Sequence, residues 1–222
     1  MNQIAIGGLR SVAQVRRPTR RALAKQRTRE KIAAAARTLF TERGYDGATI
    51  RDIATAAGMS TGAVFANFTD KSDLFAEIVV AERQALVQVM GDAAAAKPPL
   101  EAIQAMFEAA AERHLGDLAL FRATMSAIWS TGLGELVRNR FARAAVGDVL
   151  GPCLRAGVDC GLLRGSTDLT LVADMLWDCY VSAIRLAALE GAGGEAVKRR
   201  LRDEIQIVLA GARQAQGQLS GP

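Results

Sequence analysis

Apolar residues recur with the spacing of an α-helix along most of the chain. The first clear stripe begins after Thr28 and consists of Ile32, Ala35, Ala36, Leu39 and Phe40. These positions follow the i, i+3, i+4, i+7, i+8 pattern, which places them on one face of a helix. Gly44 is expected to close that helix, because glycine is favoured just beyond a helix C-terminus. No strand-like alternation persists anywhere, so the pattern predicts an all-α fold.

Capping signals mark the start of the next three helices. Thr49 with Asp52 three positions on forms a variant of the capping box, and Asp70 with Asp73 repeats that spacing. Ser60 between them is expected to cap a short third helix. The helix after Asp70 is expected to continue to about residue 90.

Further helices are predicted beyond a joint of small residues and prolines at 93–99. They span roughly residues 100–115, 117–131, 134–161, 167–190 and 195–214. The 167–190 helix is apolar on more than one side, and 195–214 offers a second surface of the same type. A helix on the outside of a monomer needs only one apolar stripe.

Two copies of the chain could bury both stripes, so these two helices predict a homodimer. A fully internal helix is the alternative reading. The predicted interface residues are Val172, Met175, Leu176, Tyr180, Ile184, Leu201, Ile205 and Val208.

Charge divides the chain unevenly. Residues 1–71 hold 13 Lys and Arg against 5 Asp and Glu, a net charge of +8, whereas residues 72–222 have a net charge of −3. A basic front on a mildly acidic body favours a polyanionic partner. Residues 10–27 carry seven basic side chains and no acid, which predicts a flexible basic arm over residues 1–25.

Composition excludes several other classes. Of the 222 residues half are hydrophobic and 5% aromatic, and no apolar run approaches the 18 or so residues of a membrane span. The N-terminus does not read as a secretory signal, because its short apolar run precedes the arginines. The expectation is a cytoplasmic protein without membrane contact.

Candidate catalytic and metal-binding groups are few. Cys153, Cys160 and Cys179 lack CxxC spacing, so they are expected to be three buried thiols in a reducing compartment. The lone His114 is expected at the surface or the edge of a pocket. No zinc spacing and no phosphate-binding glycine loop occurs. We therefore expect no enzyme activity, no catalytic residue, no metal and no cofactor.

Two helices joined by a short turn with glycine, behind a basic arm, describe a helix-turn-helix. The stretch from Gly58 to Phe68 is then the turn and the recognition helix. Thr61, Gly62 and Ala63 are small enough for close approach of the backbone to DNA, and free N–H groups at the helix start suit phosphate oxygens. Val64 and Phe68 are expected to point inward.

The stretch from Arg29 to Phe75, REKIAAAARTLFTERGYDGATIRDIATAAGMSTGAVFANFTDKSDLF, resembles the DNA-binding domain of tetracycline-repressor (TetR) family regulators. The resemblance extends over nearly 50 residues without a gap. It implies a homodimeric transcriptional regulator, usually a repressor released by a small ligand. It also implies about nine helices, with the last two forming a dimeric four-helix bundle.

The residues expected to contact the DNA operator follow from both arguments. They are Arg27, Thr49, Arg51, Ser60, Thr61, Gly62, Ala63, Phe65, Asn67 and Lys71. Lys71 is expected on a phosphate, and Thr61, Ala63 and Asn67 near base edges. Phe65 departs from the family, which usually has Tyr there with its hydroxyl on a phosphate. Some usual phosphate contacts are thus missing.

A small apolar effector is expected within the C-terminal helices. Its candidate pocket residues are Met106, Phe107, Phe121, Met125, Trp129, Trp177 and Tyr180. The corresponding domains are a basic arm over 1–25, a helix-turn-helix domain over 26–86 and a ligand-binding and dimerisation domain over 87–222.

Two alternatives to a sequence-specific DNA-binding regulator stay open from the sequence. One is a helical small-molecule binder whose DNA role has decayed, favoured by the altered segment Phe65-Ala66-Asn67. The other is a non-specific DNA-compacting protein that relies on its basic arm.

Overall fold

A computed structural model describes residues 19–129 and 144–213, and these ranges form nine α-helices. The helices are α1 (Arg20–Gly47), α2 (Ile50–Ala56), α3 (Thr61–Phe65), α4 (Lys71–Ala94), α5 (Pro99–Leu115), α6 (Leu118–Trp129), α7 (Ala144–Asp159), α8 (Leu169–Glu190) and α9 (Gly194–Ala212). The predicted all-α class is confirmed. Of the helix predicted over 134–161, residues 134–143 lie outside the described residues.

The first helix begins earlier than its apolar stripe indicates. Thr19 caps it, because its side-chain oxygen accepts a hydrogen bond from the Ala22 amide at 3.2 Å. The alanine, arginine, lysine and glutamine residues that follow are strong helix formers. The last six residues of the predicted 1–25 arm, from Arg20 onward, are therefore helical, which corrects that boundary.

Gly44 ends the regular part of α1, as its position predicts. Its φ of 73° and ψ of 171° are not helical, and residues 45–47 form a further turn. Residues that carry a side chain rarely adopt this positive φ, so glycine is required at this position. The turn brings Tyr45 against Phe40 and Phe75, whose ring centroids lie 5.6 Å and 5.0 Å from that of Tyr45.

Two apolar cores stabilise the described part of the chain. The first lies among α1 to α4 and contains the predicted stripe residue Phe40, packed edge-on against Phe75 with ring centroids 5.2 Å apart. The second lies among α4 to α9 and has Phe107 and Tyr180 near its centre, with centroids 5.6 Å apart. Leu120 of α6 reaches across and packs into the first core.

Helix α4 contributes to both cores. Its N-terminal half buries Leu74, Phe75, Ile78 and Val79 in the first core, and its C-terminal half buries Leu86 and Met90 in the second. The boundary predicted between residues 86 and 87 therefore falls inside one continuous helix.

Most of the predicted dimer interface is buried within a single chain. Leu176, Tyr180, Ile184 and Leu201 are 0% exposed and Ile205 is 1% exposed. A side chain that is already enclosed by its own subunit has no surface left to offer a second copy. These five residues are core residues, which corrects their assignment; Val172 is also buried, whereas Met175 and Val208 retain exposed surface.

The cysteines are unpaired but not all buried. Cys160 lies just beyond the end of α7 and is exposed, which corrects the expectation of three buried thiols. Cys153 and Cys179 are half-buried, and burial raises the pKa of each thiol. In the ranges 19–129 and 144–213, every helix is too short or too polar to cross a membrane.

Candidate nucleic-acid interface and interior cavity

The turn between α2 and α3 has the geometry that its sequence predicts. Thr49 and Asp52 form a reciprocal capping box: the Asp52 amide donates to the Thr49 hydroxyl at 3.2 Å, and the Thr49 amide donates to the Asp52 carboxylate at 3.1 Å. Gly58 turns the chain with a φ of 62°. Ser60 caps α3 by accepting from the Ala63 amide at 3.1 Å. Two short helices joined by a tight turn are a helix-turn-helix.

Buried side chains hold α3 against the rest of the first core. Val64 is 0% exposed and Phe68 2%, so both point inward as predicted. The Arg29 guanidinium of α1 stacks on the Phe68 ring, 4.2 Å from its centroid, and also donates to the Asn67 carbonyl and pairs with Glu77 of α4. Arg29 thereby fixes the C-terminal end of α3 to α1 and α4.

One N–H of the Asn67 side-chain amide is engaged within the protein. Its Nδ2 donates to the Ala63 carbonyl at 2.9 Å, one turn earlier, and the residue is partly buried. Bidentate recognition of adenine needs both the amide N–H and the amide oxygen. Ala63 is partly buried as well. The second Nδ2 N–H and Oδ1 of Asn67 have no partner among the described residues, so its predicted base contact and that of Ala63 stay predictions, whereas Thr61, Gly62 and Phe65 are exposed.

Lys71 holds the end of α1. Its ammonium donates to the carbonyls of Tyr45 and Ala48 at 2.9 Å and 3.2 Å and lies 4.2 Å from the centroid of the Tyr45 ring. An ammonium has three N–H donors, so one remains for another acceptor. The predicted phosphate contact stays a prediction, but the primary role of Lys71 in the free protein is to connect α4 with α1.

Two residues predicted to contact DNA, Arg27 and Arg51, are exposed. The guanidinium groups of Arg27 on α1 and Arg51 on α2 make no hydrogen bond or salt bridge to the described residues, although the charge of Arg51 acts on the neighbouring Asp52. Arg51 lies in the first turn of α2, next to the exposed cap residue Thr49. Unpaired guanidinium groups at these two positions can contact the backbone of a duplex that meets the exposed face of α3.

Four charged residues connect the first core to the second. Arg37 of α1 pairs with Glu82 of α4 at 3.2 Å and with Asp117 of the α5–α6 turn at 2.9 Å. Glu82 also pairs with Arg113 of α5 at 2.7 Å. We call Arg37, Glu82, Arg113 and Asp117 the ion-pair wall. These ion pairs join helices α1, α4 and α5 and the turn between α5 and α6.

The ion-pair wall forms one side of a cavity of about 410 Å³ between α4, α5, α6 and α8. Four of the predicted pocket residues line it: Phe121, Met125, Trp177 and Tyr180. Met106 and Phe107 do not, because both are fully buried in the second core. The predicted role of Trp129 cannot be placed, since its side chain lies outside the described residues.

His114, expected at the surface or the edge of a pocket, lines this cavity. Its ring lies between Phe121 and Tyr180, with centroids 5.3 Å and 5.8 Å away. Burial lowers the pKa of His114 to about 4, although the charges of Glu82 and Asp117 act in the opposite direction. The imidazole is therefore neutral near pH 7.

The tautomer of His114 is coupled to the orientation of the Tyr180 hydroxyl. That hydroxyl lies 3.1 Å from the Ala110 carbonyl and within hydrogen-bonding distance of His114 Nδ1. When the hydroxyl donates its single proton to the carbonyl, Nδ1 carries the N–H and donates it to Tyr180. Nε2 is then left as an acceptor, and no partner for it occurs among the described residues.

Known proteins resemble this chain both in the sequence of the helix-turn-helix region and in the overall fold. The family model for bacterial regulatory proteins of the tetR family matches residues 32–78, which include the helix-turn-helix. The HTH-type transcriptional repressor Rv1474c of Mycobacterium tuberculosis is 34% identical over 142 residues, which cover 59% of this chain and 76% of that protein. The chain belongs to the TetR family.

Further comparisons extend the likeness along the chain. The HTH-type transcriptional repressor KstR2 of Mycolicibacterium smegmatis is 27% identical over 199 residues, which cover 85% of this chain and 92% of that repressor. The structure of SmeT, the repressor of the Stenotrophomonas maltophilia multidrug efflux pump SmeDEF, superposes with a TM-score of 0.68 at 24% identity. That match covers 89% of this chain and 98% of SmeT. This TetR-family chain is a DNA-binding transcriptional regulator.

The neutral His114 makes stability depend on pH in a defined direction. Its pKa is lower in the folded protein than the ordinary 6.5, so the unfolded chain binds more protons between pH 6.5 and pH 4, and stability is lost as pH falls through that window. Between pH 7 and pH 5 the free energy of unfolding of the wild type should fall by about 2 kcal/mol more than that of the His114→Phe variant. Urea unfolding at equal protein concentration measures the difference; identical pH dependence would contradict the burial of a neutral imidazole.

Proposed function

We propose that the protein is a cytoplasmic repressor, without enzyme activity, that binds a palindromic operator as a homodimer and is released by a small effector. The observation that carries this proposal is the ion-pair wall, which joins the effector cavity directly to α1 of the helix-turn-helix domain. A molecule entering the cavity would alter the contacts of Arg37 and Glu82, and with them the position of α1 relative to α4.

Exposed apolar residues on α8 and α9 support the dimer. Leu171 and Met175 of α8 and Ile207 of α9 are 56%, 46% and 71% exposed, and all three line one groove between these helices. An exposed apolar patch of this kind marks an interaction surface. The proposed dimer face lies one step around each helix from the core of the stripe that the sequence suggested, and it shares Val172, Met175 and Val208 with that stripe.

The cavity favours an effector that is largely apolar and uncharged. Its basic side chains, Arg37, Arg83 and Arg113, are matched by its acidic side chains, Glu82, Glu112 and Asp117. A charged effector would therefore gain no net attraction from the lining. Aromatic and aliphatic side chains supply the remaining contacts, and His114 Nε2 offers an acceptor to a hydroxyl or N–H of the effector.

Footprinting of the full-length protein on the DNA upstream of its own gene tests the proposal. We expect two protected half-sites related by a palindrome, with centres about 34–36 Å apart or a multiple of that spacing. Diffuse protection would instead support a DNA-compacting protein. No protection at low salt would support a small-molecule binder that has lost its DNA role.

Glutamate at both Met175 and Ile207 should give a folded monomer, because it places charge on the proposed dimer face without touching either core. Sedimentation velocity and circular dichroism measure the two properties. Ile184→Glu is the matched contrast: this side chain is 0% exposed in one chain, so the variant should unfold. A folded dimer from the double variant would remove this face from the proposal.

Deleting residues 1–18 should weaken operator binding most at low salt. The deleted segment carries Arg10, Arg16 and Arg17, and each phosphate they neutralise adds about 0.9 to the slope of log K against log salt. We expect the slope to fall by between about one and three units. Thr19 stays in place to cap α1, so thermal stability should not change. Tighter binding by the truncated protein would show that the arm restrains binding.

A further inference from the structure

The long polar side chains around α3 form hydrogen bonds or ion pairs with other parts of the protein. The Asn67 amide donates to the Ala63 carbonyl, and the Lys71 ammonium donates to two carbonyls at the end of α1. The Arg29 guanidinium is held by the Asn67 carbonyl, by Glu77 and by the Phe68 ring. Lys71 keeps one free N–H, and Asn67 keeps its second amide N–H and its amide oxygen, so each has fewer groups left for a base than its side chain carries.

What α3 exposes is mainly apolar. Phe65 is 55% exposed, whereas its neighbours Val64 and Phe68 are buried. It is the only large hydrophobic side chain in residues 48–79 that is exposed to this extent. Thr61 and Ala66 are exposed beside it. The core is complete without the Phe65 ring, so folding does not account for a phenyl group at this position.

The major groove offers one apolar group, the C5-methyl of thymine, and small apolar or aromatic side chains contact it. We propose that Phe65 is a specificity-determining residue that reads thymine methyl groups in each operator half-site, with Ala66 and the Thr61 methyl beside it. This inference rests on the proposed function, because it requires that α3 enters the major groove.

Phosphate contacts and base reading are separable on this surface. Arg27 and Arg51 are exposed cations whose guanidinium groups make no hydrogen bond to the described residues, and a contact with phosphate supplies affinity but no sequence information. The loss of a thymine methyl should therefore weaken binding without changing its dependence on salt. A phosphate contact would show the opposite behaviour.

The experiment begins with selection of a duplex from a randomised pool by the full-length protein. Each thymine of the selected duplex is then replaced by deoxyuridine, one symmetric pair at a time, which removes only the methyl groups. Burial of one methyl corresponds to about fourfold in affinity, so loss of a symmetric pair should weaken binding roughly fifteenfold. At least one pair should show this loss with an unchanged salt slope.

The Phe65→Ala variant should bind the thymine and deoxyuridine duplexes with nearly equal affinity. Phe65→Leu keeps apolar surface and should retain part of the discrimination. The matched control is Leu162→Ala, which truncates an exposed apolar side chain outside the helix-turn-helix and should discriminate like the wild type. If Phe65→Ala binds too weakly, the comparison is made at lower salt, where phosphate contacts are stronger.

The outcomes separate this inference from the proposed function. A pool that yields no enriched sequence would overturn the proposed function itself. An enriched duplex that binds equally well with deoxyuridine at every thymine would overturn the methyl readout and leave the regulator intact. Discrimination that persists undiminished in Phe65→Ala would assign the readout to other residues and would equally overturn it.

Discussion

The fold depends on one continuous helix that serves two cores. Helix α4 spans Lys71–Ala94, about 36 Å at 1.5 Å per residue, and buries apolar side chains in a different core at each end. Neither core can move far relative to the other without tilting or bending this helix. The helix-turn-helix is attached to its N-terminal end through Lys71 and through the Glu77–Arg29 pair.

Ion pairs at the middle of α4 connect the two cores. Glu82 is shared by Arg37 and Arg113, and the three side chains are partly screened by solvent, at 22%, 43% and 31% exposure. Such pairs add little to stability, because desolvation and side-chain ordering offset most of the attraction. Removing one partner is more costly, since the Nε atoms of both arginines are already buried without a hydrogen-bond partner among the described residues. The wall therefore acts more as a positional constraint than as a source of stability.

The sequence predicted the features that depend on local chemistry. Thr49, Ser60 and Asp70 cap helices where expected, and the inward direction of Val64 and Phe68 follows from spacing alone. Periodicity identifies an apolar face but not the surface that face meets. For that reason Ile184 was assigned to an interface although it belongs to the core of one chain, and Phe107 was assigned to a pocket it does not line.

Long-range pairings account for the other differences. The role of His114 depends on Tyr180, 66 positions away, and the engagement of Lys71 depends on carbonyls more than 20 positions earlier. No spacing rule within one helix could have revealed either contact. The Asn67 bond to Ala63 is local, at i to i−4, but it is one of several rotamers open to an asparagine side chain. In the structure, Arg29 stacks on Phe68 and donates to the Asn67 carbonyl at the same end of α3.

The continuous helix α4 and the ion-pair wall limit how the proposed effector can change operator affinity. Operator affinity that rests on Arg27, Arg51 and the basic arm is largely electrostatic, and a neutral effector in a distant cavity does not alter those charges. The effector must act on geometry instead. Eleven residues separate Glu82 from Lys71, roughly 16 Å of helix, so a tilt of about 5° at the ion-pair wall displaces the start of α4 by more than 1 Å. In the proposed dimer the two α3 helices must be spaced to enter successive major grooves of the operator. A displacement of α4 in each subunit would change that spacing, and the two changes would add. In the proposed function, the continuous helix α4 would carry a small change in the cavity to the DNA-binding end of the chain.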